Sequence, residues 1–167
     1  TIVAASQGTM NNLIFGNEQC SYYETICGGT GAGLNFDGID AVHSHMTNTA
    51  ITDPEILEWR FPIRLEQFSI RKNSGGRGQF KGGNGVIREL LFTEAVSLSL
   101  LTQNRNQGAY GLNGGEEGLP GEQYLIKKNG DKIKLKSIAQ ESIAPGDRLI
   151  IKTPGGGGFG KKQNFNS

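Results

Sequence analysis

Both histidines of the chain lie in one short polar segment, AVHSHMTNTAITDPE, which runs from Ala41 to Glu55. His43 and His45 are separated by one residue, so both imidazoles would face the same side of a strand. A His-x-His pair suits a metal ion or an acid–base couple near neutral pH. Ordinary hydrogen bonds from both rings to the backbone of a polar junction are the structural alternative. The spacing leaves these interpretations open.

Hydroxyl and amide side chains follow directly at Thr47, Asn48 and Thr49. Such groups can bind a substrate carboxylate or amide, and an Asn amide can contribute to an oxyanion site. They also stabilise turns by bonding to nearby backbone groups. A third metal ligand would come from one of the local carboxylates, Glu24, Asp37, Asp40 and Asp53.

A second polar patch begins with SQGTMNN, from Ser6 to Asn12. Asn11 and Asn12 are too polar for an ordinary core strand, so they are candidates to line a cavity and bind substrate. Tyr22-Tyr23-Glu24 would add donors to the same patch. Glu24 is either a surface acid beside two packing aromatics or a buried acid whose raised pKa suits it to be a base.

Composition narrows the classes of protein that fit. The 167 residues include 17 basic and 16 acidic ones, which disfavours nucleic-acid or membrane-surface binding by bulk charge. No apolar stretch approaches the roughly 20 residues of a membrane span.

The two cysteines, Cys20 and Cys27, fit no metal or disulfide pattern, so we expect free thiols and a cytoplasmic protein. A nucleophilic Cys27 is the less favoured alternative. Because the chain opens at Thr1 without Met, we expect a piece of a longer protein.

Glycine is the outlier, with 26 residues in short runs. GGTGAG, from Gly28 to Gly33, predicts a loop with positive φ angles, packed against a neighbouring segment, and not a phosphate-binding loop, since it lacks Lys-Ser/Thr. The loop of about twenty residues after residue 103 predicts a functional or packed segment.

Short alternating segments separated by turns predict a mainly β fold, a Gly-rich sandwich or barrel-like domain with at most one or two short helices. Asp53-Pro54 predicts the start of one short helix. VIRELLFT and VSLSLLTQN predict a hairpin, and YLIKKNGDKIKL predicts another with a type I′ turn at Asn129-Gly130. We divide the chain into a polar segment carrying the candidate active-site motif, a β-rich domain and a tail: residues 1–60, 61–160 and 161–167.

Five stretches resemble, in order, the C-terminal part of the hydantoinase B/5-oxoprolinase family, and the spacing is most similar to the 5-oxoprolinase branch. The most specific are HSHMTNT, from His43 to Thr49, and TPGGGGFG, from Thr153 to Gly160. The others are SQGTMNNLIFGN, YYETICGGTGAG and YGLNGGEEG. Ala50 departs from the family pattern, which commonly has Arg there. If that Arg contacts substrate or a phosphate in the family, its replacement by Ala implies a different exact substrate.

The resemblance implies an ATP-dependent hydrolase of cyclic amides such as 5-oxoproline or hydantoins, acting through a phosphorylated intermediate. It implies that a hydantoinase A-like part, in the same chain or a separate subunit, binds ATP with Mg. It also implies that any divalent metal belongs to the upstream portion of the same subunit, which lowers the metal hypothesis for His43 and His45. We expect the full enzyme to be a homo-oligomer.

Two hypotheses follow. In the enzymatic one, His43, His45 and Glu24 are catalytic, Thr47, Asn48, Thr49, Asn11, Asn12 and Asp53 bind substrate, and the isolated chain is inactive. In the alternative, the chain is a non-catalytic β-rich docking module of a hydantoinase- or acetone-carboxylase-like complex, with residues 73–85 and 104–123 as its docking surface.

Overall fold

The computed structural model describes residues 2–8, 10–43 and 52–161. Over these residues the chain is mainly β, as predicted, with one helix of seven residues. The elements in chain order are β1 (Asn11–Gly16), β2 (Ser21–Thr25), α1 (Pro54–Arg60), β3 (Ile63–Ile70), β4 (Val86–Phe92), β5 (Val96–Thr102), β6 (Glu122–Ile126), β7 (Lys132–Lys134), β8 (Ile138–Ile143) and β9 (Arg148–Lys152).

The strands form two antiparallel sheets that enclose one core. The four-stranded sheet has the order β2-β1-β5-β8, and the five-stranded sheet has the order β3-β4-β9-β6-β7. Alternate residues of both sheets point into one hydrophobic cluster, in which the Phe15 ring meets the Phe92 ring edge-on at 5.4 Å. The predicted sandwich is therefore confirmed, and the barrel alternative is wrong because neither sheet closes on itself.

Helix α1 follows from its first residues. The Asp53 carboxylate accepts a hydrogen bond from the backbone N–H of Glu55, and Pro54 occupies the first helical position. Leu57 is fully buried and anchors the helix, which ends at Phe61 in an extended conformation. The predicted helix start is confirmed.

The predicted hairpin of VIRELLFT and VSLSLLTQN is wrong. Strand β4 pairs with β3 and β9, whereas β5 pairs with β1 and β8. Residues 93–95 therefore carry the chain from one sheet to the other. Both strands present alternate buried residues to the same core. A short link between two such strands is compatible with a hairpin or with a crossing between facing sheets, so local pattern does not distinguish them.

The second predicted hairpin is confirmed, but its turn type is not. β6 pairs with β7, and the turn is closed by hydrogen bonds from Lys127 N to Asp131 O and from Gly130 N to Lys127 O. A type I′ turn needs positive φ at both Asn129 and Gly130. Of these two residues, only Gly130 has a positive φ, at +96°. The single left-handed residue is the glycine that follows the turn, which is the pattern of a bulged hairpin loop.

Glycine-rich segments from several parts of the chain pack together into one layer of backbone. Its centre is the buried segment 154–160, whose successive amides bond to different neighbours: Gly156 N to Gly83 O, Gly157 N to Ala5 O and Gly158 N to Glu116 O. A Cβ on Gly156 would lie 1.9 Å from the Thr30 carbonyl oxygen, so only glycine permits this approach. The long Gly-rich loops are packed, as expected.

The GGTGAG segment belongs to this layer. None of its glycines has a positive φ, so that expectation is wrong. The expected packing against a neighbour is confirmed, because a Cβ on Gly29 would lie 1.9 Å from Gly83 O. Close backbone approach, and not left-handed conformation, is the reason for glycine here.

The expected division at residue 60 stays a prediction. Strands β1 and β2, which precede it, share a sheet with β5 and β8, which follow it. Within the described ranges, no helix combines the length and apolar character needed to cross a lipid bilayer.

Candidate functional site: a buried Glu24–Arg88 pair beside a cleft

Two facing strands bring opposite charges together inside the sandwich. On β2, Tyr22 and Glu24 are buried while Tyr23 is exposed. On β4, the Arg88 side chain points to the buried side of the strand, together with Val86, Leu90 and Phe92. Arg88 Nε lies 3.1 Å from Glu24 Oε2, and their side chains are 1% and 7% exposed. Alternation along each strand therefore places one acid and one base in an otherwise apolar core.

The pair is close but incompletely satisfied. The two atoms lie at ion-pair distance without the alignment of a hydrogen bond, and within the described residues neither Glu24 carboxylate oxygen has a hydrogen-bond partner. Burial raises the pKa of the Glu24 carboxyl, against the opposing attraction of Arg88. Glu24 therefore holds a proton to higher pH than an exposed glutamate does. Such a group is suited to proton transfer.

An open cleft of about 580 Å³ lies next to Arg88. Arg88 forms part of its wall, so the cleft reaches one partner of the buried ion pair. The Arg88 guanidinium carbon also lies 5.4 Å from the centroid of the Phe68 ring, a cation–π distance. The remaining lining residues are Thr52, Asp53, Pro54, Leu65, Glu66 and Gln67.

Tyr22 connects the core side to the cleft rim. Its phenolic O–H donates to Thr52 Oγ1 over 3.4 Å, and Thr52 lines the cleft. Burial raises the pKa of Tyr22, so the phenol keeps its proton at neutral pH. Tyr22, Glu24 and Arg88 thus form a small polar cluster between the core and the cleft.

Of the two histidines, His43 falls within the described residues. It is half-buried, and neither ring nitrogen has a hydrogen-bond partner in the part of the chain that the structure describes. Burial lowers the pKa of His43, so the neutral imidazole dominates at physiological pH. His43 therefore makes no hydrogen bond to Glu24 or Asp53. His45, Thr47, Asn48, Thr49 and Ala50 lie outside the described residues.

The other predicted binding residues have structural partners. Asn11 donates to Gln7 Oε1 and accepts from Arg105 Nη2 at 2.8 Å. Asn12 Oδ1 accepts from the Thr25 hydroxyl at 2.9 Å. Asp53 caps α1 and also lines the cleft. Among the predicted binding residues that the structure describes, Asp53 is the one that lines the same cleft as Arg88.

The expected free thiols are confirmed for Cys20 and Cys27. Burial raises the pKa of the Cys27 thiol to about 11. At neutral pH it is a protonated core side chain, which argues against a nucleophilic role.

Arg88 was not singled out from the sequence as the partner of Glu24, although a signal existed. In VIRELLF, Arg88 is an even number of residues from Val86, Leu90 and Phe92, so its side chain points to the same buried side of the strand as theirs. A buried arginine requires an anion or acceptor nearby. No three His, Cys, Asp or Glu side chains group into a metal site within residues 2–8, 10–43 and 52–161.

Comparisons with known proteins agree with this architecture. The family model described as hydantoinase B/oxoprolinase matches residues 1–162. The 5-oxoprolinase of Dictyostelium discoideum is 52% identical over 97% of this chain, which spans 13% of that protein. The 5-oxoprolinase 1 of Arabidopsis thaliana is 50% identical over 94% of the chain, which spans 12% of that protein.

Two solved structures share the fold. The ATP-dependent caprolactamase of Pseudomonas jessenii superposes with a TM-score of 0.80 at 25% identity, covering 96% of this chain and 30% of that one. Nucleotide-free acetone carboxylase superposes with a TM-score of 0.72 at 18% identity, covering 93% of this chain and 26% of that one. With a family model matched over nearly its whole length, the chain belongs to the hydantoinase B/oxoprolinase family.

Proposed function

We propose that this chain is the C-terminal part of an ATP-dependent enzyme that hydrolyses the ring amide of 5-oxoproline or a hydantoin through a phosphorylated intermediate. The observation that carries the proposal is the 52% identity with a 5-oxoprolinase over almost the entire chain. The fold shared with a caprolactamase, an enzyme named for another cyclic amide, supports the same reaction class.

The chemistry explains why ATP is needed. A lactam carbonyl is stabilised by resonance, so water adds to it slowly. Transfer of a phosphoryl group to the amide oxygen makes that oxygen a good leaving group and makes the carbon electrophilic. Water adds to that carbon and loses a proton, and the C–N bond then breaks as the departing nitrogen gains one, which leaves an acyl phosphate. A second water displaces inorganic phosphate and yields the free carboxylate. A positioned group that accepts the first proton and supplies the second accelerates both steps.

Among the residues that the structure describes, we propose Glu24 as the proton-transfer group and Arg88 as the group that stabilises negative charge. The Glu24 carboxylate, whose pKa is raised by burial, accepts the proton and then returns it, and Arg88 attracts the negative charge of the phosphorylated intermediate from the cleft wall. Asp53 orients the ring from the cleft rim. We keep His43 and His45 as further proton-transfer groups, and Thr47, Asn48, Thr49, Asn11 and Asn12 as substrate-binding groups.

The remaining parts of the enzyme lie outside this chain. We assign ATP with Mg to a hydantoinase A-like part, in the same polypeptide or in a separate subunit. We assign any divalent metal to the upstream portion of the same subunit, and we expect a homo-oligomeric, cytoplasmic enzyme.

The docking alternative rests on the two long Gly-rich loops. Much of residues 73–85 is turned inward: Ser74, Gly76, Gly82, Gly83 and Gly85 are buried, and Gly76 N donates to Gly156 O. A Cβ on Gly118 would lie 2.4 Å from Gly155 O, so the second loop packs on the same segment. The packed glycines give the loops an internal structural role, while exposed side chains of the second loop, such as Tyr110 and Leu119, keep docking as the second candidate function. The identity with 5-oxoprolinases makes the enzymatic proposal the better supported one.

The reaction is tested with the full-length protein that contains this chain. Incubation with 5-oxoproline, ATP and Mg should yield glutamate and ADP in equal amounts, and a hydantoin should serve as the second substrate. Ring opening that proceeds without ATP, or ATP hydrolysis without ring opening of either substrate, would contradict the proposal.

The contribution of the histidine segment is tested separately. His45→Ala in the same protein should lower coupled turnover by roughly 10²–10⁴-fold if the imidazole transfers a proton. Unchanged coupled turnover would remove His45 from the mechanism and leave Glu24 as the candidate proton carrier.

A further inference from the structure

A second cavity is lined by residues that are distant in sequence from the histidine segment. Its central cation, Arg105, has no acidic ion-pair partner within the described residues. The cavity measures about 620 Å³, a size that accommodates a small organic molecule. Its lining comprises Arg105, Asn106, Gly121, Glu122, Lys134, Leu135, Lys136, Ser137 and Ile138. It opens where the β6–β7 hairpin approaches the start of β8.

Arg105 is held in place by neutral acceptors. Its Nε donates to Gln123 Oε1 at 3.2 Å, Nη1 to Gln103 O at 2.6 Å and Nη2 to Asn11 Oδ1 at 2.8 Å. A guanidinium has five N–H donors, so two of them are left without a partner among these contacts. Within the described part of the chain, no carboxylate forms an ion pair with Arg105.

The surrounding charges leave the pocket positive. Glu122 is the acid in the lining, and its carboxylate lies 3.9 Å from Arg71 and 3.7 Å from Lys152, so its charge is already shared by two cations. Lys134 and Lys136 add two further cations. Burial, together with the neighbouring Arg71, lowers the pKa of Arg105 to about 10, so the guanidinium remains charged at neutral pH but is poorly compensated.

The cavity wall is shaped to admit the guanidinium. A Cβ on Gly121 would lie 2.2 Å from Arg105 Nη1, so glycine at this position makes room for the fork. Leu135 and Ile138 supply apolar wall beside the cations, and the Ile138 side chain is 70% exposed. A polar anchor with an apolar wall is the usual composition of a small-molecule site.

From these contacts we propose that the pocket binds a small organic carboxylate, with the carboxylate on the free N–H groups of Arg105 and a short hydrocarbon chain along Leu135 and Ile138. A planar carboxylate matches the guanidinium fork, and Lys134 and Lys136 strengthen its attraction. The hydrocarbon gains from leaving water against the two aliphatic side chains. This site is separate from the Glu24–Arg88 cleft and does not rest on the proposed reaction.

Ligand-observed saturation-transfer NMR on the full-length protein, at fixed ionic strength, tests the proposal. Butyrate should bind with a dissociation constant of about 1 mM or lower. The uncharged analogue 1-butanol should bind at least about tenfold more weakly if the ion pair contributes 1.4 kcal/mol. Inorganic phosphate lacks the hydrocarbon and should displace butyrate only at a concentration above that of butyrate. Equal binding of butyrate and 1-butanol, or displacement by phosphate at an equal concentration, would overturn the proposal.

Variants locate the binding site. Arg105→Lys keeps the charge but removes the fork, and should weaken butyrate binding about tenfold. Lys136→Gln removes a charge from an exposed side chain of the pocket lining and should weaken binding two- to threefold. The control Lys128→Gln changes an exposed lysine outside the pocket and should bind as the unmodified protein does. Binding that survives both pocket variants unchanged would overturn the assignment.

Discussion

Arg88 on β4 and Glu24 on β2 form an ion pair across the interior of the sandwich, with Nε 3.1 Å from Oε2. The pair joins the two sheets inside a mainly hydrophobic core. Its Arg88 end also borders the cleft, so one contact couples the stability of the fold to the chemistry proposed for it.

Removing one member of this pair should be much more damaging than breaking an exposed one. Glu24→Gln leaves the Arg88 charge buried and uncompensated, which costs about 3–5 kcal/mol in the free energy of unfolding. The control is Glu66→Gln, which breaks the surface ion pair with Arg64, whose side chain is 60% exposed while that of Glu66 is 30% exposed; this change should cost about 0–1 kcal/mol. Urea denaturation of the 167-residue chain measures both. Equal costs would show that the buried pair has no special role.

Asp147 should give the fold a defined dependence on acid. Burial alone would raise its pKa, but hydrogen bonds from Lys127 and from the backbone N–H groups of Ala144 and Lys128 outweigh burial and lower it below the usual 3.8. A carboxyl whose pKa is lower in the folded state stabilises the fold above its unfolded pKa. That stabilisation is lost as the pH falls below about 3.8, through the folded pKa.

Asp147→Asn should therefore cost about 2 kcal/mol at pH 7, because a charged acceptor with three donors is lost. The difference from the unmodified chain should shrink as the pH is lowered below 3.8, and unfolding free energies across that range measure it. Asp131→Asn, at an exposed acid in the β6–β7 turn, is the control and should change stability by less than about 0.5 kcal/mol. A difference that stays constant with pH would rule out the Asp147 charge as its origin.

The glycine layer should reject even one added carbon. Gly156→Ala places a Cβ 1.9 Å from a backbone oxygen that belongs to a packed segment, so we expect a loss of more than about 3 kcal/mol. Gly130→Ala, at a glycine with open space around it and φ +96°, should cost only the conformational penalty of about 1 kcal/mol. Thermal unfolding of the two variants separates crowding from backbone conformation, and similar losses would contradict the packing account.

Asp53 can be tested for its two roles separately. Asp53→Asn keeps a side-chain oxygen that accepts from Glu55 N, so the cap and the stability should be retained. Asp53→Ala removes the cap and should cost about 1 kcal/mol. If Asp53 orients substrate by its charge, both variants should lower coupled turnover of the full-length enzyme. Full turnover in Asp53→Asn would confine Asp53 to capping.

The sequence predicts elements better than it predicts their partners. The helix start at Asp53-Pro54 and the two strands of the β6–β7 hairpin are local features, determined by capping and alternation. Which strands pair with β5 depends on how the two sheets are assembled from distant parts of the chain, and the sequence around β5 does not contain this information. Edge strand β8 has one buried residue, Ile143, so its alternation is too weak to predict it.

The site shows the same limit. Glu24 and Asp53 could be named from residue type and family resemblance, and the buried phase of Arg88 can be read from its strand. That Glu24 and Arg88 meet follows only from the packing of one sheet on the other. Asn11 and Asn12, chosen for their polarity, bond to Gln7, Arg105 and Thr25, because buried amides take the nearest partners available.

The most direct test of the Glu24–Arg88 cleft as part of the active site is coupled turnover of the full-length double variant Glu24→Leu/Arg88→Met. Replacing both charges by apolar side chains of similar volume should leave the fold at or near its original stability. We predict that this variant unfolds at the normal temperature and has lost at least about 10²-fold in ATP-dependent ring opening, the range for one proton-transfer group. A well-folded double variant with normal turnover would contradict the account, because the pair would then be structural alone.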